Sequence, residues 1–422
     1  MVLFEKHILN NGLKILVHRD ETTPMAAVNI LYDVGARDED PDRTGFAHLF
    51  EHLMFEGSVN IPHYDRPLQH AGGENNAFTT NDITNYYLTL PVANLELAFW
   101  LESDRMLSLA FSEEKLHTQK NVVVEEYKQS YLNQPYGDAW LLLQPLAYDV
   151  HPYRWATIGA EIDHIKKVTL DDVKAFFGTY YHPANAILSV AGNVNPQEVF
   201  QLAEKWFGDI PAQKKPTRRL PAEPQQQIEK QHAVERDVPQ DQVYIAFHMC
   251  DRNHPDFHAT DLLSDLLANG ESARLTGKLV HDRKIFSEIN AYITGSIDPG
   301  LFIITGKPHP DTDIHLAEQS IWQELKLLID DLVGDRELQK VKNKVEAGHT
   351  FSESNVLAKA MNLSYYELLG NANLLNEQVD AWFRVTPDDI QRLAGKLFRR
   401  DNASVLHYLK KDASEIKNFI TK

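Results

Sequence analysis

The chain has 422 residues, of which 43% are hydrophobic and 24% are charged, and this length exceeds what one hydrophobic core comfortably holds. We therefore expect a globular protein of two or more domains. The formal net charge of −18 excludes a nucleic-acid backbone as the expected partner. Because Cys250 is the only cysteine, we expect neither an intrachain disulfide nor a zinc site built on thiolates, which leaves histidine, aspartate and glutamate as metal ligands.

The sequence also lacks the signals of membrane association. Its first residues do not have the basic start and apolar run of a signal peptide. No uncharged apolar stretch approaches the length of about 18 residues that a membrane span requires, so no span is expected. These features predict a cytoplasmic protein, or a periplasmic one if a signal segment has been removed.

The first predicted elements are strands. Residues 6–17 alternate in polarity around an Asn-Gly pair at 11 and 12, which predicts a hairpin because Asn-Gly suits the positive φ of a tight turn. Residues 26–34 predict a further strand. Thr44 is the predicted N-cap of the helix that follows.

That helix carries the motif on which the prediction of function depends. His48, Glu51 and His52 form the pattern H-x-x-E-H, and a rotation of about 100° per residue projects all three from one side. A rise of about 6 Å lets both imidazoles bind one ion about 2.0–2.1 Å away. Glu51 then lies beside the ion, where it can take a proton from water that a zinc ion activates. The alternative is a core helix with two structural histidines, but three matched groups on one face favour a hydrolytic metal site.

The next stretch predicts a strand or hairpin. Residues 72–90 begin with Gly-Gly and continue through the run 75–79, Asn-Asn-Ala-Phe-Thr, into β-branched and aromatic residues. The polar, glycine-rich start is compatible with an ordinary turn. It is equally compatible with an exposed sheet edge on which an extended peptide adds as another strand.

Helices are predicted over residues 95–109 and 112–132. A zinc site with two histidines needs a third protein ligand and keeps one open position. Glu125 or Glu126, on the second of these helices, could supply that ligand; the alternative is an ordinary solvated acid. The valines at 122–124 indicate burial, and a buried carboxylate needs a partner such as a cation.

Composition and an internal repeat divide the chain. Residues 211–230 are rich in proline, glutamine and basic residues, which predicts an interdomain linker whose basic run at 214–219 is solvated. On either side, a Thr with an Asp three residues on recurs at the start of a predicted helix. We therefore predict an α+β fold with two homologous repeats, domains 1–210 and 231–422, each an antiparallel sheet packed with helices.

The repeat also predicts which domain carries the chemistry. Aligning Gly57 with Gly270 places Asp261, Ser264 and Asp265 opposite the histidines and glutamate of the motif. The second domain therefore has no matching metal set and is predicted to be non-catalytic. The other histidines are predicted to be surface or structural residues that form no second ligand set, among them His254, His258, His281, His309 and His315.

The H-x-x-E-H motif, the distant glutamate and the doubled α+β halves together resemble the pitrilysin/insulinase family of zinc metallopeptidases, the inverted zincins. The resemblance covers nearly the whole chain. It implies that His48 and His52 bind Zn²⁺ and that Glu51 is the general base. It also implies that Glu126, rather than Glu125, is the third ligand.

The same resemblance implies a substrate site along the predicted strand. Asn76 would contact the region of the scissile bond, Ala77 would pair through its backbone, and Phe78 would shape a side-chain pocket. The implied substrate is a peptide. One departure concerns Gln119, which stands seven residues before the third ligand, where many members have an acid that supports the metal.

A second departure lies in the second domain. Family members usually carry an Arg and, seven residues on, a Tyr that hold the substrate and stabilise the oxyanion. The matching places here are Val280 and Ser287. Loss of such donors typically costs about 10²–10³-fold in rate. We therefore expect a dimer, either a homodimer or a heterodimer with a homologous subunit that supplies the Arg/Tyr pair.

Three functions follow as hypotheses. The first is a zinc metalloendopeptidase that cleaves peptides or unfolded segments, bound as an edge strand in a closed chamber of two subunits. The alternative is a non-catalytic scaffold subunit of a larger complex, which the missing Arg/Tyr pair favours and the intact metal motif opposes. The third is a zinc hydrolase of some non-peptide amide.

Overall fold

The computed structural model describes residues 1–411, which divide into two compact units. Unit 1 contains residues 1–127, 155–220 and 348–378. Unit 2 contains residues 128–154 and 221–347 and the described residues from 379 onward. The junction between residues 220 and 221 falls within the predicted linker. The sequence did not indicate that residues 128–154 belong to unit 2 and residues 348–378 to unit 1.

Unit 1 is built on one mixed sheet. Its strands are β1 Glu5–Ile8, β2 Lys14–Arg19, β3 Met25–Tyr32, β4 Glu74–Thr79, β5 Thr84–Pro91 and β6 Ala186–Gly192. They follow the order β1-β2-β6-β3-β5-β4, so β4 forms one edge of the sheet. Strands β1 and β2 form the predicted hairpin. All neighbouring strands are antiparallel except β2 and β6, which are parallel.

Unit 2 is built on a second mixed sheet. Its strands are β7 Lys230–Arg236, β8 Gln242–His248, β9 Phe286–Ile293, β10 Leu301–Pro308 and β11 Ala403–Lys410. They follow the order β7-β11-β8-β10-β9, and only β7 and β11 are parallel among these described pairs. The prediction of an α+β fold with a helix-packed sheet in each half is therefore confirmed, with one parallel pair in each sheet as a refinement.

The helices of residues 1–411 are α1 Phe46–Leu53, α2 Asp65–His70, α3 Leu95–Leu107, α4 Glu113–Tyr127, α5 Ala139–Ala147, α6 Ile162–Lys167, α7 Leu170–Tyr180, α8 Pro196–Phe207, α9 Phe257–Ala268, α10 Ile314–Asp330, α11 Asp335–Ser352, α12 Val356–Leu368, α13 Leu374–Arg384 and α14 Pro387–Leu397. In this described part of the chain, every helix is too short or too polar to cross a membrane.

The internal repeat is visible in matching helix–strand pairs. Helix α7 in unit 1 and helix α14 in unit 2 both start with a capping box, in which a threonine and an aspartate exchange hydrogen bonds with each other's backbone. The threonines are Thr169 and Thr386, and the aspartates are Asp172 and Asp389. Each helix leads into a strand, β6 or β11, that lies inside its own sheet.

Helix α12 belongs to unit 1 because it packs on strands β3 and β6. Asn29 Nδ2 donates to Ser364 Oγ at 3.0 Å, and Ser364 Oγ donates to Ser189 Oγ at 2.7 Å. Lys359 Nζ lies 2.6 Å from Asp20 Oδ2 and holds the pKa of the Asp20 carboxyl well below its usual range. Since buried polar groups need partners, this network fixes α12 on the sheet.

Two residues of the basic run in the predicted linker form ion pairs with buried carboxylates. Lys215 Nζ lies 2.7 Å from Asp33 Oδ2, and Arg218 Nε lies 2.6 Å from Asp38 Oδ1. The two aspartate side chains are only 8% and 4% exposed. Most of residues 214–219 are exposed, as predicted, but the run also supplies the cationic partners that the two buried carboxylates need.

Candidate metal centre

A buried carboxylate and a glycine fix the start of helix α1. The carboxylate of Glu39 accepts hydrogen bonds from the N–H groups of Gly45, at 2.9 Å, and Ala47, at 2.8 Å. These N–H groups at a helix start have no partner within the helix, so the carboxylate satisfies them. The prediction that Thr44 is the N-cap of this helix is wrong. Gly45 is the N-cap, and the hydroxyl of Thr44 accepts a hydrogen bond from the N–H of Ala160 instead.

Gly45 is required at this position. Its φ of 83° lies in the left-handed region, and a Cβ on Gly45 would lie 2.5 Å from the carbonyl oxygen of Ile158. Burial raises the pKa of the Glu39 carboxyl to about 8, although the two N–H donors act in the opposite direction. The backbone where α1 begins therefore has little freedom to shift.

Helices α1 and α4 bring the three predicted ligands together. Nε2 of His48 lies 3.8 Å from Oε2 of Glu126, and Nε2 of His52 lies 3.6 Å from the same oxygen. The two imidazole centroids are 4.8 Å apart with an interplanar angle of 83°. The side chains of His48, His52 and Glu126 are 15%, 24% and 41% exposed, which leaves the group accessible from solvent. Glu125 is exposed and is not part of this group.

The geometry of these donors fits a zinc ion. Two donors about 2.0–2.1 Å from one ion lie at most about 4.2 Å apart, and both nitrogen–oxygen distances meet that limit. Both distances are also longer than a hydrogen bond, so the donors face a common space rather than each other. Burial lowers the pKa of His48 to about 4, which keeps its imidazole in the neutral form that binds metals.

Gln119 orients His52. The side-chain oxygen of Gln119 lies 3.3 Å from Nδ1 of His52, and the Gln119 amide nitrogen donates to the carboxylate of Glu56. Because the carboxylate of Glu56 only accepts, the amide nitrogen must face it, and the amide oxygen is left to accept from Nδ1–H. Nε2 of His52 then keeps its lone pair for the metal side. Gln119, a departure from the family pattern, thus occupies a supporting position.

Glu51 lies beside the three donors and is held by strand β4. Thr79 Oγ1 donates to Oε2 of Glu51 at 2.5 Å, which leaves Oε1 free of this contact. Burial raises the pKa of the Glu51 carboxyl, the Thr79 hydrogen bond opposes this shift, and the charge of Glu126 adds to it. A carboxylate with a raised pKa is a stronger base than an exposed one.

The predicted substrate residues lie on β4, the edge strand. Asn76 is exposed, whereas Ala77 and Phe78 are half-buried. Ala77 stands opposite Tyr86 of β5, but its N–H donates to the side-chain oxygen of Asn76 at 2.8 Å. The N–H of Ala77 is therefore not engaged by β5. The structure places these residues at a sheet edge, and their contact with substrate stays a prediction.

The corresponding helix of unit 2, α9, carries a different arrangement. Asp261 Oδ2 accepts a hydrogen bond from Trp382 Nε1 at 3.1 Å. Asp265 Oδ1 lies 3.6 Å from Lys344 Nζ. The two carboxylates that stand where unit 1 has its histidines thus pair with protein groups, Asp261 with an indole N–H and Asp265 with an ammonium group.

Sequence reasoning missed two residues that shape the centre. Thr79 lies in the same run as the predicted substrate residues, but nothing in the sequence links it to Glu51. Glu39 lies in a polar loop where several acids occur together, so no local signal singles it out as the partner of α1.

Comparison with known proteins agrees with this fold. Residues 14–139 match the family described as Insulinase (Peptidase family M16), and residues 167–345 match the Peptidase M16 inactive domain. The zinc protease PqqE of Helicobacter pylori is 30% identical over 412 residues, which cover 96% of this chain and 92% of that protein. The crystal structure of a protease from Helicobacter pylori superposes with a TM-score of 0.91 at 28% identity and covers 97% of this chain and 100% of its own.

The chain belongs to the insulinase, or M16, family of peptidases. Mitochondrial-processing peptidase subunit beta of Saccharomyces cerevisiae is also similar, at 24% identity over 402 residues that cover 90% of this chain and 86% of that protein. The family resemblance inferred from the motif is therefore confirmed.

The contact between Gln119 and His52 leads to a prediction. Gln119→Leu should weaken zinc binding about 10–100-fold, the usual effect of losing a partner of a metal-binding histidine. Gln119→Glu, which keeps an acceptor for Nδ1–H, should bind zinc at least as tightly as the wild type. Competition with a chromophoric chelator measures both affinities, and equal affinities for all three proteins would contradict the supporting role.

Proposed function

We propose that the protein is a zinc metalloendopeptidase that cleaves peptides or unfolded segments. The observation that carries the proposal is the convergence of His48, His52 and Glu126 on one space, with Glu51 alongside. Two imidazoles and one carboxylate leave a position open for water or substrate, as in catalytic zinc sites.

The chain's own residues supply the proton transfers. When bound, a zinc ion polarises the peptide carbonyl and makes water acidic enough to lose a proton near neutral pH. In this proposal Oε1 of Glu51, which the hydroxyl of Thr79 does not engage, takes that proton. The same carboxyl then gives a proton to the leaving amine. Thr79 keeps the carboxylate of Glu51 turned toward the donors throughout.

The substrate binds along β4 as an added antiparallel strand. Edge strands recognise extended peptides through main-chain hydrogen bonds, and the N–H of Ala77 is available once the Asn76 side chain moves aside. Asn76 then faces the region of the scissile bond, and Phe78 contributes to a side-chain pocket. Main-chain recognition requires an extended segment, so folded proteins should be poor substrates.

We further propose that the active form is a dimer. Val280 and Ser287 stand where the family pattern has its Arg and Tyr, and neither side chain can stabilise an oxyanion with a positive charge or a phenol. A homologous subunit with that pair would complete the site. The similarity to a protein named as a subunit of mitochondrial-processing peptidase supports this arrangement.

A scaffold function is the second candidate. The missing Arg/Tyr pair favours it, as does the match of residues 167–345 to a domain described as inactive. A scaffold has no need of a metal at the His48, His52 and Glu126 site. The zinc content of the wild type, compared with that of His48→Ala/His52→Ala protein, therefore separates the candidates, because the peptidase should lose one zinc per chain in this variant.

Replacement of the base tests the mechanism. Glu51→Gln should lower kcat about 10²–10⁴-fold, the usual contribution of a general base, while zinc content stays that of the wild type. The assay uses a library of quenched fluorescent peptides with zinc present, on the chain alone and with a candidate partner subunit. Glu125→Gln, on the exposed side of α4, is the matched control and should cleave as the wild type does. Unchanged cleavage by Glu51→Gln would exclude this mechanism.

The edge-strand proposal has its own test. Ala77→Pro removes one N–H that no strand of the sheet uses, and proline is tolerated at such edge positions. Because one main-chain hydrogen bond contributes about 0.5–1.5 kcal/mol, we expect kcat/KM for peptides to fall about 2–10-fold. Ala77→Val keeps the N–H and serves as the control. Equal kcat/KM values for both variants, with melting temperatures matching the wild type, would argue against an added strand at Ala77.

A further inference from the structure

A second group of metal-ligating side chains lies in unit 2. His315 and Glu318 are three residues apart on α10, and His407 lies on β11. Their donor atoms all lie within 4.8 Å of one another. Within residues 1–411, only this group and the candidate metal centre bring three such donors together. His315, which was predicted to belong to no ligand set, thus lies beside Glu318 and His407 in the structure.

The two imidazoles of this group are arranged like those of the first centre, although here His407 and Glu318 are hydrogen-bonded to each other. The ring centroids of His315 and His407 are 5.0 Å apart with an interplanar angle of 80°, close to the values for His48 and His52. Glu318 and His407 are buried, whereas His315 is exposed. The group therefore has two fixed donors and one donor at the surface, with access from solvent.

The two carboxylate oxygens of Glu318 have separate roles. Oε1 accepts from Trp322 Nε1 at 2.9 Å and from Arg400 Nη1 at 2.8 Å. Oε2 faces His407, whose Nε2 lies 2.9 Å away. One oxygen is thus held by donors outside the group, and the other is directed toward the histidines. Outer partners that orient a ligand in this way are typical of metal sites.

The charges around the group suit a cation. Arg400 lies 2.8 Å from Glu229 as well as from Glu318, so two carboxylates share one guanidinium and one negative charge is left over. The guanidinium of Arg400 and the indole N–H of Trp322 both favour the ionised form of Glu318.

We propose that His315, Glu318 and His407 form a second binding site for Zn²⁺ that joins α10 to β11. Two imidazoles and one carboxylate are ligands that suit zinc. Zinc binding at this site does not depend on the proposed peptidase function. Binding replaces the hydrogen bond between His407 and Glu318, and the imidazole of His407 then carries its proton on Nδ1, so that the lone pair of Nε2 binds the ion. The exposed side chain of His315 completes the set by rotation about its own bonds.

Zinc binding by a chain without the first centre tests this inference. Full-length His48→Ala/His52→Ala protein, stripped of metal, is titrated with zinc by calorimetry, and we expect one zinc per chain. Adding His315→Gln, a surface change that leaves the buried network intact, should weaken this binding about 100-fold, at least as much as loss of an outer partner does. His407→Gln should have the same effect.

His281→Gln on the same background is the matched control. His281 pairs with Glu271 at 2.8 Å in unit 2 but belongs to neither donor group of the described residues, so zinc binding should not change. The wild-type chain provides an independent check, since its two zinc ions per chain should fall to one in His315→Gln. No zinc bound by the double variant, or zinc binding that His315→Gln leaves unchanged, would overturn the proposal.

Discussion

The position of helix α1 is the constraint on which the candidate centre depends. A shift of one residue in the start of a helix rotates every side chain by about 100°, which would turn His48 and His52 away from Glu126. The carboxylate of Glu39 and the left-handed backbone of Gly45 prevent that shift at the start of the helix. Thr79 and Gln119 then orient the side chains of Glu51 and His52 by hydrogen bonds. The donors are thus positioned by several residues that are not themselves candidate metal ligands.

The two halves of the chain show how one architecture accommodates different charges. In unit 1, the two imidazoles of α1 and the carboxylate of Glu126 on α4 face a shared space. In α9 of unit 2, Asp261 and Asp265 occupy the corresponding positions, and Trp382 and Lys344 provide the donor and the positive charge. A buried charge without a partner would be strongly destabilising, so the two halves differ in the partners they offer: a set of metal-ligating side chains in one half and an ammonium group in the other.

Much of this was accessible from the sequence because the signals are local. The H-x-x-E-H motif and the Asn-Gly hairpin depend on spacing within one element, and the structure places them as predicted. The capping boxes at Thr169 and Thr386 made the repeat detectable for the same reason. Choosing Glu126 over Glu125 needed the family register, since two adjacent acids on a helix differ only in the direction they face.

Several features that the sequence did not predict depend on contacts between distant segments. Helix α12 crosses to the sheet of unit 1 through Ser364 and Lys359, whose partners lie more than 170 residues away along the chain. The basic linker run is ordered by Asp33 and Asp38, and His315 acquires its neighbour His407 only in the folded protein. No periodicity or turn signal reports such pairings.

The most direct measurement of the central claim is anomalous X-ray diffraction at the zinc edge from crystals of the full-length chain. We expect a peak about 2.0–2.1 Å from Nε2 of His48, from Nε2 of His52 and from a carboxylate oxygen of Glu126. A zinc-loaded crystal with no peak between these three side chains, or with Glu126 turned away from the ion, would contradict it.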